Sequence, residues 1–137
     1  MHWLRLILGH LGGLLIIVSS AAHSFLGWPS LEASLAGIQA SPELITGLRI
    51  GWQFGGIAML TFGCIVILEM RTLRHRRSAV LWSVLLIGLV YVLFGAWALV
   101  ISAYELFFAG VFVLPGLMLI WASWPLDRPA TNLTAVT

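Results

Sequence analysis

The sequence predicts an all-α membrane protein, a bundle of four transmembrane helices, and three observations carry that expectation. Of the 137 residues, 61% are hydrophobic and only 9% charged, whereas a soluble domain runs at about 45–50% apolar and about 25% charged. Four apolar runs, residues 6–26, 50–68, 79–101 and 106–124, are each long enough to cross a hydrocarbon core of about 30 Å. The arginines gather at the ends of these runs rather than along them. Mean hydropathy of +1.04 also excludes disorder, which needs low hydrophobicity and high net charge. The runs lack period-2 alternation, so helices and not barrel strands satisfy the backbone in lipid.

The first run follows Arg5. It is longer than the apolar core of a signal peptide and carries no Ala-x-Ala cleavage signal, so it reads as a membrane helix. Residues 29–41 form the one long connection, where Leu31, Leu35 and Ile38 recur at helical spacing and predict a short interfacial helix. Ser41-Pro42-Glu43 reads as a helix start, with an N-cap, a first-turn proline and an acid near the positive end of the dipole. A tight turn is expected at Ser102–Glu105. Pro115 removes a backbone hydrogen bond and predicts a kink in the fourth helix. The tail 125–137 reads as a loose segment, and residues 1–137 as one domain without internal repeats.

Arginine placement sets an expected orientation. Arg5, Arg71, Arg74, Arg76, Arg77 and Arg128 fall on one side, which the positive-inside rule makes cytoplasmic. Arg49, Glu32, Glu43 and Glu105 then lie outside, and both termini inside. Arg71, Arg74, Arg76 and Arg77 are expected to meet anionic lipid headgroups, so the basic pI of 9.3 does not point to nucleic acid.

Lipid tails are as apolar as leucine, so small residues must let the helices approach. Gly47, Gly51 and Gly55 form a stripe at four-residue spacing on the second helix; Gly88, Gly95 and Ser102 form a seam at seven-residue spacing on the third. Gly9, Gly13, Ser20, Ser24 and Gly27 mark the first helix, Gly110 and Gly116 the fourth. Trp3, Trp28, Trp97, Tyr104, Trp121 and Trp124 are placed as interfacial anchors. Cys64 is alone, which excludes an intrachain disulfide or a zinc motif and leaves a small buried hydrophobe as its expected role.

Ionisable groups within spans are the candidate functional positions. His10 and His23 are thirteen residues apart, which leaves their rings about 140° apart around the helix. His2 and His75 sit outside the spans, so paired haem b ligands are not expected and no cofactor is assigned. The more coherent group is His23, Ser24, Arg49, Gln53 and Glu105, gathered at the external mouth and expected to centre on an Arg49–Glu105 ion pair. Two readings of it stay open: anchoring and capping groups, or a shared ligand pocket. His10 is expected to bond a neighbouring helix or reach Glu69. The absence of a mid-membrane carboxylate counts against active transport, and no HExxH, GxSxG or P-loop signature is present.

The run His23-Ser24-Phe25-Leu26-Gly27, followed by Leu48-Arg49-x-x-Trp52-Gln53, resembles a group of small uncharacterised bacterial four-helix membrane proteins. The resemblance implies the same architecture, in a bacterial inner membrane, and no particular activity. In those proteins an acid often follows the first run and a histidine stands at the Gln53 position. Trp28 and Gln53 occupy these places here, so an external metal site would lack two of three ligands. The expectation is therefore a non-enzymatic accessory subunit or a binder of a small or lipid-like ligand, within a homo-oligomer or larger membrane complex. The alternatives are a membrane enzyme or redox component using His23, Arg49 and Glu105, and an oligomeric channel or carrier protomer.

Overall fold

The computed structural model describes residues 2–73 and 80–124. Among them the chain is helical, without strands, and four helices are long and apolar enough to cross a membrane: His2–Gly37, Pro42–Leu73, Trp82–Ile101 and Leu106–Ser123. Arg74, Arg76, Arg77, His75, Arg128 and the tail 125–137 lie outside the described residues.

The first helix is α1 (His2–Ala22), a π-helical segment (His23–Gly27) and α2 (Trp28–Gly37) in unbroken succession. The separate interfacial helix expected over 31–38 is thus a continuation of the first long helix, and the long connection expected over 29–41 shrinks to residues 38–41. At about 1.5 Å per residue, 36 helical residues reach about 54 Å, well beyond a hydrocarbon core of about 30 Å. The end of α2 is a Schellman turn: Ala40 N–H donates to Leu35 O at 3.0 Å and Gln39 N–H to Ala36 O at 3.0 Å, with Gln39 at φ 55°. Helix α3 (Pro42–Leu73) then starts as its sequence signal indicates, with Leu44 N–H donating to Ser41 Oγ at 3.3 Å.

Helix α4 (Trp82–Ile101) ends at the expected turn, where Tyr104 N–H reaches Leu99 O at 2.7 Å and Ala103 and Tyr104 adopt φ 55° and 67°. The last helix is α5 (Leu106–Phe108), a second π-helical segment (Ala109–Val113) and α6 (Leu114–Ser123). Each π segment ends two residues before a proline, Pro29 and Pro115. A proline ring clashes with the carbonyl four residues back, here that of Phe25 and of Val111, and supplies no N–H. Both carbonyls sit at the middle of a π segment, so a widened turn relieves the clash that a regular α turn would create.

Helix α1 packs on both α3 and α6, α4 packs on α6, and α3 meets α4 much less extensively. Glycines set these approaches. A Cβ on Gly63 would lie 3.0 Å from Gly13 O; Cβ atoms on Gly88 and Gly116 would lie 2.9 and 2.8 Å from each other's carbonyls, and one on Gly95 3.0 Å from Val113 N. Gly88 and Gly95 are therefore at the α4 crossing. Gly47 and Gly51 are not: both face open space, and Gly55 has only an ordinary contact with His23. The close approach on α3 belongs to Gly56 and Gly63, rotated about 100° per residue away from the expected stripe.

The buried core runs from Leu6, Met70, Leu73 and Leu81 through Val66, Val84, Ile87 and Leu119 to Tyr91. Near Arg5, α3 and α4 are tied by Ser83 Oγ donating to Glu69 at 3.0 Å. His10 accordingly does not reach Glu69; its Nδ1 donates to Leu6 O at 2.8 Å. Arg5 is 2% exposed and closes the end of α6, donating from Nε to Ala122 O at 3.1 Å and from Nη2 to Ser123 O at 3.3 Å. Cys64 is exposed rather than buried, and Trp28 is buried rather than a surface anchor.

Candidate functional site

At the Arg49 end, the π segment and α3 hold each other through reciprocal hydrogen bonds. Trp52 Nε1 donates to His23 O at 2.8 Å, and His23 Nε2 donates to Trp52 O at 3.1 Å. Their rings stack with centroids 4.3 Å apart and planes within 3°. Gly27 makes room for this, since a Cβ there would come within 2.8 Å of the Trp52 ring. One helix further out, Trp28 Nε1 donates to Glu32 Oε2 at 2.9 Å, while Glu32 Oε1 pairs with Arg49. The Arg49 guanidinium also lies 5.3 Å from the Trp28 ring centroid.

The expected grouping of His23, Ser24, Arg49, Gln53 and Glu105 is brought together only in part. His23 and Arg49 join one cluster, but through Trp28, Trp52 and Glu32. Ser24 packs its hydroxyl against Gly56, beside Ser20 Oγ, which donates to Gly56 O at 2.7 Å. Gln53 has no hydrogen-bond partner among the described residues. Glu105 is exposed at the start of α5 with no side-chain cap, and the acid that pairs with Arg49 is Glu32, not Glu105. Glu32 wins because α2 continues the first helix and so runs beside the start of α3. Both oxygens of Glu32 are engaged and both ring nitrogens of the two tryptophans are satisfied. This is a clasp between α2 and α3, and it offers little free binding capacity.

Free capacity lies on the other side of His23. A cavity of about 250 Å³ is lined by His23, Gly55, Ala58, Met59, Phe62, Val90, Tyr91, Phe94 and Phe112. It fills the gap where α3 and α4 fail to pack, and each π segment supplies one wall residue, His23 from the first and Phe112 from the second. Val90 and Phe94 are nearly half exposed, so the cavity opens between α3 and α4 at the bundle surface. Phe112 stands edge-on to Phe94 at 4.9 Å and tilted against Tyr91 at 5.8 Å. Tyr91 is 4% exposed, and its hydroxyl is buried without a hydrogen-bond partner among the described residues. Such an orphan costs about 1–3 kcal/mol unless something bonds it.

Tyr91 and Phe112 escape the sequence reading because mid-span aromatics read as core. The nearest signals are the two prolines, which mark where the helices widen, and the i, i+4 spacing of Trp28 and Glu32. No group of three or more metal-ligating side chains occurs among the described residues. No family model, curated protein or solved structure matches the chain. The functional reading therefore rests on geometry alone.

Proposed function

We propose that the chain is a multi-pass protein of a bacterial inner membrane that binds a small lipid-like ligand in the cavity between α3 and α4. The single observation behind this reading is an apolar space of about 250 Å³ with a side opening, walled by a residue from each π segment. Ligand sites are concave, mostly apolar and supplied with few polar groups, and they occur between the helices of bundles. Wide turns of this kind also cluster at functional positions. The cytoplasmic placement of Arg5 and of the 71–77 connection belongs to the same proposal, with the Trp28–Glu32–Arg49 clasp at the outer side. The ligand then enters sideways, from the bilayer.

The test uses purified protein in nanodiscs, titrated with dodecylbenzene and followed by native mass spectrometry. Wild type should retain the hydrocarbon at one molecule per chain. Ala58→Phe, which fills the cavity from its α3 wall, should lose at least tenfold in occupancy while melting at an unchanged or higher temperature. Equal retention by both proteins overturns the reading.

A further inference from the structure

The depth of the opening constrains what can enter. We propose that the cavity holds part of one hydrocarbon chain of a bilayer phospholipid, whose head group stays outside and is not recognised. This occupant presupposes that the cavity is a ligand site, and it narrows the ligand to one chemical class.

Helix α4 has 20 residues, about 30 Å at about 1.5 Å per residue, which matches the thickness of a hydrocarbon core. Its two ends therefore mark the two boundaries of that core. Val90 and Phe94 border the opening. Ile101, the nearer helix end, lies beyond Phe94 by about 10 Å along the axis. A lipid head group stays in the interfacial layer outside the core, so the part of a lipid that meets this opening is its chain. The opening also lies where α3 and α4 pack least, and a chain enters there without parting a tight helix pair.

The walls give a head group nothing to bond. Tyr91 Oη is buried inside the wall, closed to any acceptor in the cavity, and His23 Nε2 already donates to Trp52 O. Met59, Phe62, Phe94 and Phe112 present apolar surface instead. A polar head drawn inside would lose its water without compensation. A methylene chain gains the dispersion contacts that an empty apolar wall forgoes.

Size sets how much of the lipid fits. A cavity of about 150 Å³ holds benzene, about 25 Å³ per carbon, so about 250 Å³ takes about ten carbons. That is a portion of one chain. Both chains of a phospholipid do not fit, and the rest of the molecule stays in the bilayer.

The test uses phospholipids with a photoactivatable diazirine at the methyl end of one chain, reconstituted with the purified protein in nanodiscs. Two versions differ only in the head, phosphatidylethanolamine or phosphatidylglycerol, and a third probe carries the diazirine beside the carboxyl group. Illumination followed by peptide mass spectrometry maps the cross-links. The methyl-end probes should mark Tyr91 and Phe112, which lie behind the opening, about tenfold more than the carboxyl-end probe does. The two heads should give yields within about threefold of each other, since neither is recognised. Excess dodecylbenzene on wild type, and Ala58→Phe without it, should each reduce these marks about fivefold or more. If Tyr91 and Phe112 stay unmarked, if the marks survive dodecylbenzene, or if the two heads differ by more than that margin, the chain assignment fails; the lipid-like site still stands where wild type retains dodecylbenzene. If wild type does not retain dodecylbenzene either, the site fails with it.

Discussion

Gly56 and its neighbours separate two patterns that the primary structure makes hard to tell apart. Gly47, Gly51 and Gly55 form the more regular series, yet of the α3 glycines only Gly56 and Gly63 touch the first helix through spaces a methyl group would overfill, at the π segment and at α1 respectively. Gly56→Ala should therefore lower stability in mixed-micelle unfolding by about 1–3 kcal/mol, through collision with Ser24 and strain on the Ser20 hydrogen bond. Gly47→Ala and Gly51→Ala should be neutral or gain up to about 1 kcal/mol from helix propensity. A loss at Gly51 comparable to that at Gly56 would mean that another chain covers this face. Tyr91→Phe should cost nothing in the ligand-free protein, and a gain of about 1 kcal/mol is expected, because the substitution deletes an unpartnered buried hydroxyl. Arg5→Gln should cost about 1.5–3 kcal/mol by weakening charge-assisted bonds to the end of α6. The same unfolding experiment reads all of these.

Among the elements, turn chemistry leaves room for improvement. Ala103 occupies the left-handed position of the α4 terminus at φ 55°, a conformation that costs an L-residue about 1–2 kcal/mol. Ala103→Gly should raise the melting temperature, and a decrease would show that the turn is not held as described. The existence and order of the four helices were legible because length and hydropathy alone specify them in lipid. The Ser41 start and the turn at Ser102–Glu105 were legible too, since local capping chemistry sets both. The pairing of Arg49 was not. Its partner depends on the first helix continuing past Pro29, and a proline two residues after a glycine reads as a stop when the widened turn that accommodates it has no sequence signature of its own. The phase error at Gly55 has a related cause: one residue is about 100° of rotation, and periodicity cannot say which of two adjacent glycines faces a neighbour. Of the candidate site, His23 stood out as an ionisable group within a span. The cavity did not, because empty volume is a property of four helices together.

For the molecule as a whole, apolar side chains cover the outer surface, among them Ile7, Leu14 and Val18 on α1, Ile50, Phe54 and Ile57 on α3, and Leu86, Leu93 and Val100 on α4. In water such a surface would drive aggregation; against lipid tails it is neutral. The proposed orientation yields a direct test in a Cys64→Ser background. A membrane-impermeant maleimide applied to intact cells should label Ser34→Cys, on exposed α2, and spare Thr72→Cys, near the end of α3. The reverse pattern would invert the topology. The Arg49–Glu32 pair should matter little to overall stability, since both side chains are substantially solvated and such pairs contribute about 0–1 kcal/mol. Its removal should instead loosen α2 locally, seen as faster amide exchange over 28–37 with α4 and α6 unchanged.

The two wide turns have an implication for how this chain can change by insertion and deletion. Each holds one backbone unit more than a regular helix would need to cover the same rise. Loss of a single codon within 23–27 would restore ordinary winding with little change in axis length or in the phase of Trp28 and Glu32 relative to α1, and would set the Pro29 ring against the carbonyl four residues back. A one-residue deletion at this point should therefore keep the Trp28–Glu32–Arg49 clasp in register while kinking the helix at Pro29, whereas the same deletion in the regular stretch of α1 would rotate everything beyond it by about 100° and misalign the clasp.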